Sequence, residues 1–299
     1  MTIVPPAPDE PRRPHGPRDP GDAWVVDDDG ATYWGRFGAA GLLAVDPGRG
    51  LLLQHRVSWS HFGDTWALPG GARHEGESAS AAALREAAEE AGVPDSAVRP
   101  RLISVLDRGV WTYATVIADV EVPFEPVISD PESHELAWVP LDAVESYPLH
   151  PGFAASWPML RSLISVRPAV VVDAANVVGS VPDGWWRDRT GATARLLEQL
   201  AALAGAGLTA EVLGLPADLW FPSMHVVLEG QARAVGDVPG LEVVRAPGAG
   251  DDAIVAEAAR LVDAGGTVTV ITSDRGLAAR IEGLGAAVRG SSWLRALLG

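Results

Sequence analysis

The chain has no cysteine, so disulfides, thiolate zinc sites and cysteine nucleophiles are excluded. It has no lysine either. All 23 basic residues are arginine, which beside abundant Ala, Gly and Pro matches the codon bias of a GC-rich genome and carries no functional implication. No run approaches the about 18 apolar residues of a membrane span, and the opening MTIVPPAPDEPRRPHGPRDPGD holds no apolar core of signal-peptide length. The expectation is a soluble, cytoplasmic protein without a membrane partner. Positive charge is scarce: the formal net charge of -16 opposes nonspecific binding to polyanions. Residues 1–167 hold 13 arginines against 24 acids, and residues 168–299 hold 10 against 15, so the halves carry -11 and -5. Nucleic acid, if bound at all, is less disfavoured in the second half.

What is present reads as globular: 299 residues, 47% hydrophobic and 21% charged, long enough for two domains. Residues 1–21 are rich in proline and charge and read as a disordered tail. WVV at 24–26 reads as a strand, and GLLAV with LLLQHR around the turn DPGRG reads as a hairpin. A helix is predicted over 78–91, capped by Ser78 and ended by Gly92 and Pro94. Strands near 101–107, 111–122 and 136–139 and a helix at 153–165 complete a first domain at 22–165. After Arg167-Pro168 a second domain, 168–299, alternates strands (VVVDAANVV, AEVLGL, MHVVLEG, LEVVRAP, TVTVITS) with helices (TARLLEQLAALA, DDAIVAEAARLVDA, GLAARIEGL). That alternation implies an α/β fold with a mostly parallel sheet covered on both faces.

GGARHEGESASAAALREAAEEAGV, residues 70–93, concentrates acids on the predicted helix. Glu86, Glu89 and Glu90 stand at i, i+3 and i+4 and so share one face. EAAEE alone reads more readily as a solvated face; a hard divalent cation would instead offset the mutual repulsion. Arg85 can pair with Glu77, and Gly70 and Gly71 allow close backbone approach. The full spacing resembles the Nudix box, G-x5-E-x7-R-E-U-x-E-E-x-G-U. Gly71, Glu77, Arg85, Glu86, Glu89, Glu90, Gly92 and Val93 all match, while Ala87 stands where a larger aliphatic is usual. Seven fixed residue types would coincide by chance about once in 10⁸ starting points. With WALPGG before the box and LAWVPLDAV after it, the resemblance covers roughly 22–165.

Resemblance to Nudix hydrolases implies an α/β/α sandwich with a mixed sheet and hydrolysis of a nucleotide diphosphate linkage with magnesium, manganese being the alternative. It makes Glu89 and Glu90 the main ligands, with the Gly70 carbonyl contributing and Glu86 as ligand or general base. Glu77 with Arg85, Gly71 and Gly92 would hold the motif. A further acid is expected downstream, Glu135 ahead of Glu132 and Glu121. Trp66 and Phe62 either stack on a base or pack the interior.

In the second half Asp173, Asp251, Asp252 and Asp274 fall at strand ends or helix starts. Taken singly they read as strand terminators or helix caps; together they fall on the sheet edge where ligands bind in open parallel sheets. VDAAN, DDAIVAEA and TSDRG resemble the NYN branch of PIN-like nucleases. That resemblance implies a three-layer domain, RNA as partner, and a metal site of Asp173, Asn176, Asp251, Asp274 and optionally Asp252, with WWRDR (185–189) offering stacking. The negative charge weighs against a nuclease acting alone.

Overall fold

The computed structural model describes residues 1–6, 21–181 and 185–299. The chain forms two compact units: Met1–Ser165 with Leu215–Leu219, and Val166–Gly214 with Trp220–Gly299. Most of the expected tail lies outside the described residues. Its first residues do not fit that expectation, because Thr2–Val4 is a strand paired antiparallel with Trp24–Val26, which pairs in turn with Thr32–Trp34. Among the described residues no helix is long and apolar enough to cross a membrane.

The first unit is organised by a mixed sheet in which Ser133–Val139, Gly50–Arg56, Ala39–Asp46, Thr112–Val120 and Val98–Asp107 lie side by side. Ala39–Asp46 and Thr112–Val120 run parallel, and their neighbours pair antiparallel. Ala39–Asp46 is buried along its whole length, as a strand covered on both faces must be. Two short segments flank it: Trp66–Ala67 pairs with Gly50–Arg56, and Gly70–Ala72 with Ala39–Asp46.

The helix Ala79–Ala91 begins where Ser78 Oγ accepts the Ala81 N–H at 3.2 Å and ends at Gly92, φ 63°. Ala82, Ala83, Ala87 and Ala91 are buried on one stripe, which brings the helix close to Ala39–Asp46 and Gly70–Ala72. The small Ala87 belongs to this stripe. A larger side chain there would hold the helix off the sheet.

The second unit is a five-stranded, wholly parallel sheet in the order Glu242–Arg245, Ser223–Leu228, Pro168–Asp173, Thr267–Ile271, Ala287–Arg289. Alternation along its central strand sorts the core into two. Val170 and Val172 pack with Val177, Leu196, Leu197 and Leu294; Ala169 and Val171 pack with Ile254, Ala258, Leu277 and Ile281. Helices therefore cover both faces. Two readings of the sequence fail here. VVVDAANVV is a strand only to Asp173, whose Oδ1 accepts the Asn176 N–H at 3.0 Å and starts the helix Ala174–Gly179. AEVLGL is not a strand; Ala210–Leu213 is a helical turn closed by Gly214 at φ 66°. Short apolar runs fit either period.

Candidate active site

Glu86 and Glu90 lie on the buried side of the helix, 3% and 1% exposed, whereas the Glu89 side chain is 43% exposed. Two buried carboxylates of like charge require compensation. Glu90 Oε2 accepts the Gly70 N–H at 2.8 Å. Arg85 forms a fork on Glu77, 2.9 Å from each oxygen, and reaches Glu86 Oε1 at 2.7 Å, Glu89 Oε2 at 3.4 Å and the Ala72 carbonyl at 3.0 Å. The guanidinium holds the Glu77 carboxyl below the usual carboxylate range.

The paired glycines are needed for reasons the sequence does not disclose. A Cβ on Gly71 would meet the Glu86 carboxyl carbon at 2.7 Å, and one on Gly70 would meet Ala40 O and Gly41 Cα at 2.5 Å. Gly70 thus lets two backbones pack, and Gly71 lets a carboxylate lie against the chain. Gly71→Ala should leave the melting temperature within about 2 °C, since the displaced atoms are a side-chain end, while turnover falls at least about tenfold because the Glu86 carboxylate moves. Differential scanning calorimetry beside steady-state kinetics checks this split.

These carboxylates open onto a cleft of about 630 Å³ within the first unit. Arg56 lines it, with its Nε buried and lacking a hydrogen-bond partner. This cation and burial act together on the histidines of the cleft: burial first, then Arg56, holds His61 low, and the same causes with His61 push His150 down to about 4. Both shifts favour the neutral ring. Tyr113 lines the cleft beside the carboxylates, and its phenol is raised by burial and by Glu90 and Glu86 against the opposing pull of Arg56.

The downstream acids separate clearly. Glu132 lines the cleft; Glu135 is exposed on the strand opposite His55 and does not. Glu121 pairs with Arg99. Trp66 is 7% exposed and stacks on His55 with ring centres 4.9 Å apart, so it is interior packing. Phe62 does line the cleft, 47% exposed, at φ 53°. Sequence reasoning missed Arg56 and the tryptophans of the cleft wall. Arg56 and Trp59 precede the box closely, whereas Trp24 and Trp34 lie well upstream of it and Trp111 lies beyond it, so no local spacing links them.

Among the described residues no three acids or histidines already stand together at metal-ligand distance in either unit. The donor set nevertheless fits a hard divalent cation, being oxygen throughout and including two buried carboxylates, Glu86 and Glu90, of which Glu86 shares the Arg85 guanidinium with Glu77.

In the second unit Asp173, 8% exposed, accepts from Thr272 Oγ1 at 2.9 Å, and Asn176 Oδ1 accepts the Ser273 N–H at 3.0 Å. Burial raises the Asp173 carboxyl, and Asp251 and Glu229 raise it further. Glu229, which sequence reasoning did not find, takes the Gly250 N–H at 2.9 Å. The other two acids are engaged elsewhere: Asp252 pairs with Arg280 at 2.7 Å, and Asp274 caps the helix Arg275–Glu282 through the Leu277 N–H at 2.8 Å. In WWRDR, Trp186 is 55% exposed, Asp188 caps the helix Arg189–Ala206, and the Trp185 side chain lies outside the described residues.

A family model described as the NUDIX domain matches residues 35–163. Over 166 residues the chain is 46% identical to "Putative 8-oxo-dGTP diphosphatase 3" of Mycobacterium tuberculosis, a match covering 52% of this chain and 76% of that protein. The chain belongs to the Nudix hydrolases. Its reaction class is therefore pyrophosphohydrolysis. The Nudix unit is also 41% identical over 153 residues to "Nucleoside triphosphate pyrophosphatase/Nudix hydrolase fusion protein" of Bifidobacterium longum, covering 46% of this chain and 30% of that protein. A crystal structure of the Nudix hydrolase RenU from M. smegmatis is 50% identical, with 48% of this chain and 96% of that chain covered and a TM-score of 0.45.

Proposed function

We propose that this Nudix hydrolase cleaves the diphosphate linkage of a nucleotide with magnesium, manganese serving as substitute, and that its substrate is an oxidised or otherwise noncanonical nucleoside triphosphate. The observation that carries the reading is the carboxylate face of the box helix opening into a cleft that also holds an arginine with an unpartnered Nε. The substrate class follows the relative in M. tuberculosis, "Putative 8-oxo-dGTP diphosphatase 3".

In this reading Glu89, Glu90 and the Gly70 carbonyl hold the metal, Glu86 is a ligand or the base that takes a proton from water, and Glu132 rather than Glu135 is the further acid. When bound, magnesium would neutralise the diphosphate, polarise a phosphoryl oxygen and acidify water. The chain's own residues do the remainder. Arg85, anchored on Glu77, fixes the rotamers of Glu86 and Glu89, and Arg56 meets phosphate charge from the cleft wall. Glu86 is buried against Gly71, which keeps its oxygens directed and poorly hydrated. The test is hydrolysis of nucleoside triphosphates to monophosphate and pyrophosphate. Binding without product at millimolar magnesium would favour a nucleotide sensor instead.

A second reading assigns the C-terminal unit, as a PIN-like NYN domain, to metal-dependent cleavage of RNA. What favours it is that Asp173, at the carboxyl end of the central parallel strand, is raised by the charges of Asp251 and Glu229. The full chain should then cut single-stranded RNA with magnesium or manganese, and Asp173→Asn should abolish cutting while nucleotide hydrolysis persists. Equal cutting by the variant would contradict it.

A further inference from the structure

The N-terminal three-stranded sheet precedes the span matched by the family model, which begins at residue 35, yet it forms part of the cleft. Trp24 and Trp34 are direct cross-strand partners, so they project on one face, and both line the cleft that holds Glu86, Glu89 and Glu90. Their rings meet edge to face, centres 5.0 Å apart at 67°, and Trp24 leans on His61 at 5.2 Å. Trp111, from the turn beyond Asp107, also lines the cleft: its Nε1–H donates to the Trp34 carbonyl at 3.0 Å, and its ring stacks at 4.9 Å and 17° on Tyr33, which alternation turns to the other face of the strand from Trp34. On its other flank Trp111 lies 6.1 Å from Tyr113, the tyrosine whose hydroxyl feels Glu90 and Glu86.

These rings are packed on one another but not enclosed. Trp24, Tyr33, Trp34 and Trp111 are each only half-buried, while the alternate residues Ala23 and Val25 are 6% and 1% exposed and anchor the sheet. Large aromatics contribute chiefly through the area they bury; a group of them left partly open along one cleft also offers flat π surface. The same cleft is lined by the box carboxylates and Arg56. The site thus combines phosphate-directed groups with flat aromatic surface.

We infer that Trp34 and Trp111, together with Trp24, offer the surface on which the base of a nucleoside polyphosphate stacks, so that specificity is set jointly by the strands ahead of the Nudix span and by Trp111 within it. This rests on the hydrolase reading above and deepens it. Base stacking on an aromatic side chain commonly changes affinity about tenfold or more.

The test uses full-length protein with magnesium and compares dGTP and 8-oxo-dGTP with inorganic tripolyphosphate, which has no base, as a competitor. Trp34→Leu and Trp111→Leu should each raise KM for the nucleotides about tenfold, with kcat changed less and the tripolyphosphate inhibition constant unchanged within about twofold. Trp34→Phe should recover most of the loss. Trp111→Leu, outside the three-stranded sheet, carries the test if Trp34→Leu does not fold. Unchanged nucleotide KM in a folded leucine variant would overturn the inference, as would equal weakening of nucleotide and tripolyphosphate. Should the wild type hydrolyse none of these nucleotides, the reaction proposal fails on its own. Quenching of tryptophan fluorescence by the nucleotides, lost in Trp111→Leu, would still support the stacking wall, and its absence in wild type would overturn it.

Discussion

Changing Glu89 and Glu90 together to glutamine lowers kcat/KM by about a thousandfold while leaving the melting temperature within a few degrees of wild type. The glutamine side chains keep shape and acceptor capacity, so the Gly70 N–H that Glu90 accepts at 2.8 Å still finds an oxygen. What disappears is charge. A divalent ion supplies several kcal/mol of transition-state stabilisation, and about 4 kcal/mol corresponds to about a thousandfold. Stability is spared because Glu89 is 43% exposed and because removing Glu90's charge relieves repulsion from the buried Glu86. Steady-state kinetics and calorimetry on one preparation check both halves of this expectation. A double variant that keeps full activity would return the helix face to a merely solvated surface.

The second large effect is at Arg85. Arg85→Met should destabilise the Nudix unit by about 2 kcal/mol, a fall in melting temperature of about 4–8 °C. The figure is kept below that for fully buried pairs because the Arg85 and Glu77 side chains retain 21% and 14% exposure. Removing the guanidinium strands Glu77 and leaves Glu86 without its 2.7 Å partner, and a stranded carboxylate is worse than an absent pair. Arg85→Lys should recover only part, since a point charge cannot reproduce the two-pronged contact. Acid titration gives a separate readout. Glu77 is held low in the folded state chiefly by its hydrogen bond to Arg85. Its stabilising contribution is therefore present above its unfolded pKa and is lost as pH falls through the depressed folded value. In Arg85→Met the wild-type loss of stability over that acid range should become shallower. Melting curves taken from pH 6 down to pH 3 measure it.

The box helix was legible because each constraint on it is local: Ser78 and Gly92 set its ends, and the i, i+3, i+4 spacing sets its acidic face. The mostly parallel second sheet was legible for the same reason, from alternating strand and helix runs. Choosing between Glu132 and Glu135 was not. The ladder slips in register between Ser133 and Glu135, and one such irregularity changes which residues face the cleft. Glu229 was hidden at the end of an apolar strand, its role depending on a Gly250 N–H that is 21 residues away. The tryptophans of the wall read like interior residues, because half-burial is a tertiary property. Trp66, named as a stacking candidate, shows the converse, since its neighbour His55 encloses it. Leu215–Leu219 belongs to the first unit, which no composition shift announced.

One measurement bears most directly on the central claim. Wild-type protein and Glu89→Gln/Glu90→Gln are incubated with magnesium and a panel of nucleoside triphosphates, 8-oxo-dGTP, dinucleotides and nucleotide sugars, and products are resolved by chromatography with phosphorus NMR. The account predicts turnover of a few base-bearing substrates, 8-oxo-dGTP among them, to monophosphate and pyrophosphate, abolished by EDTA and by the double substitution. Silence across the panel, or equal turnover in the substituted protein, would contradict it.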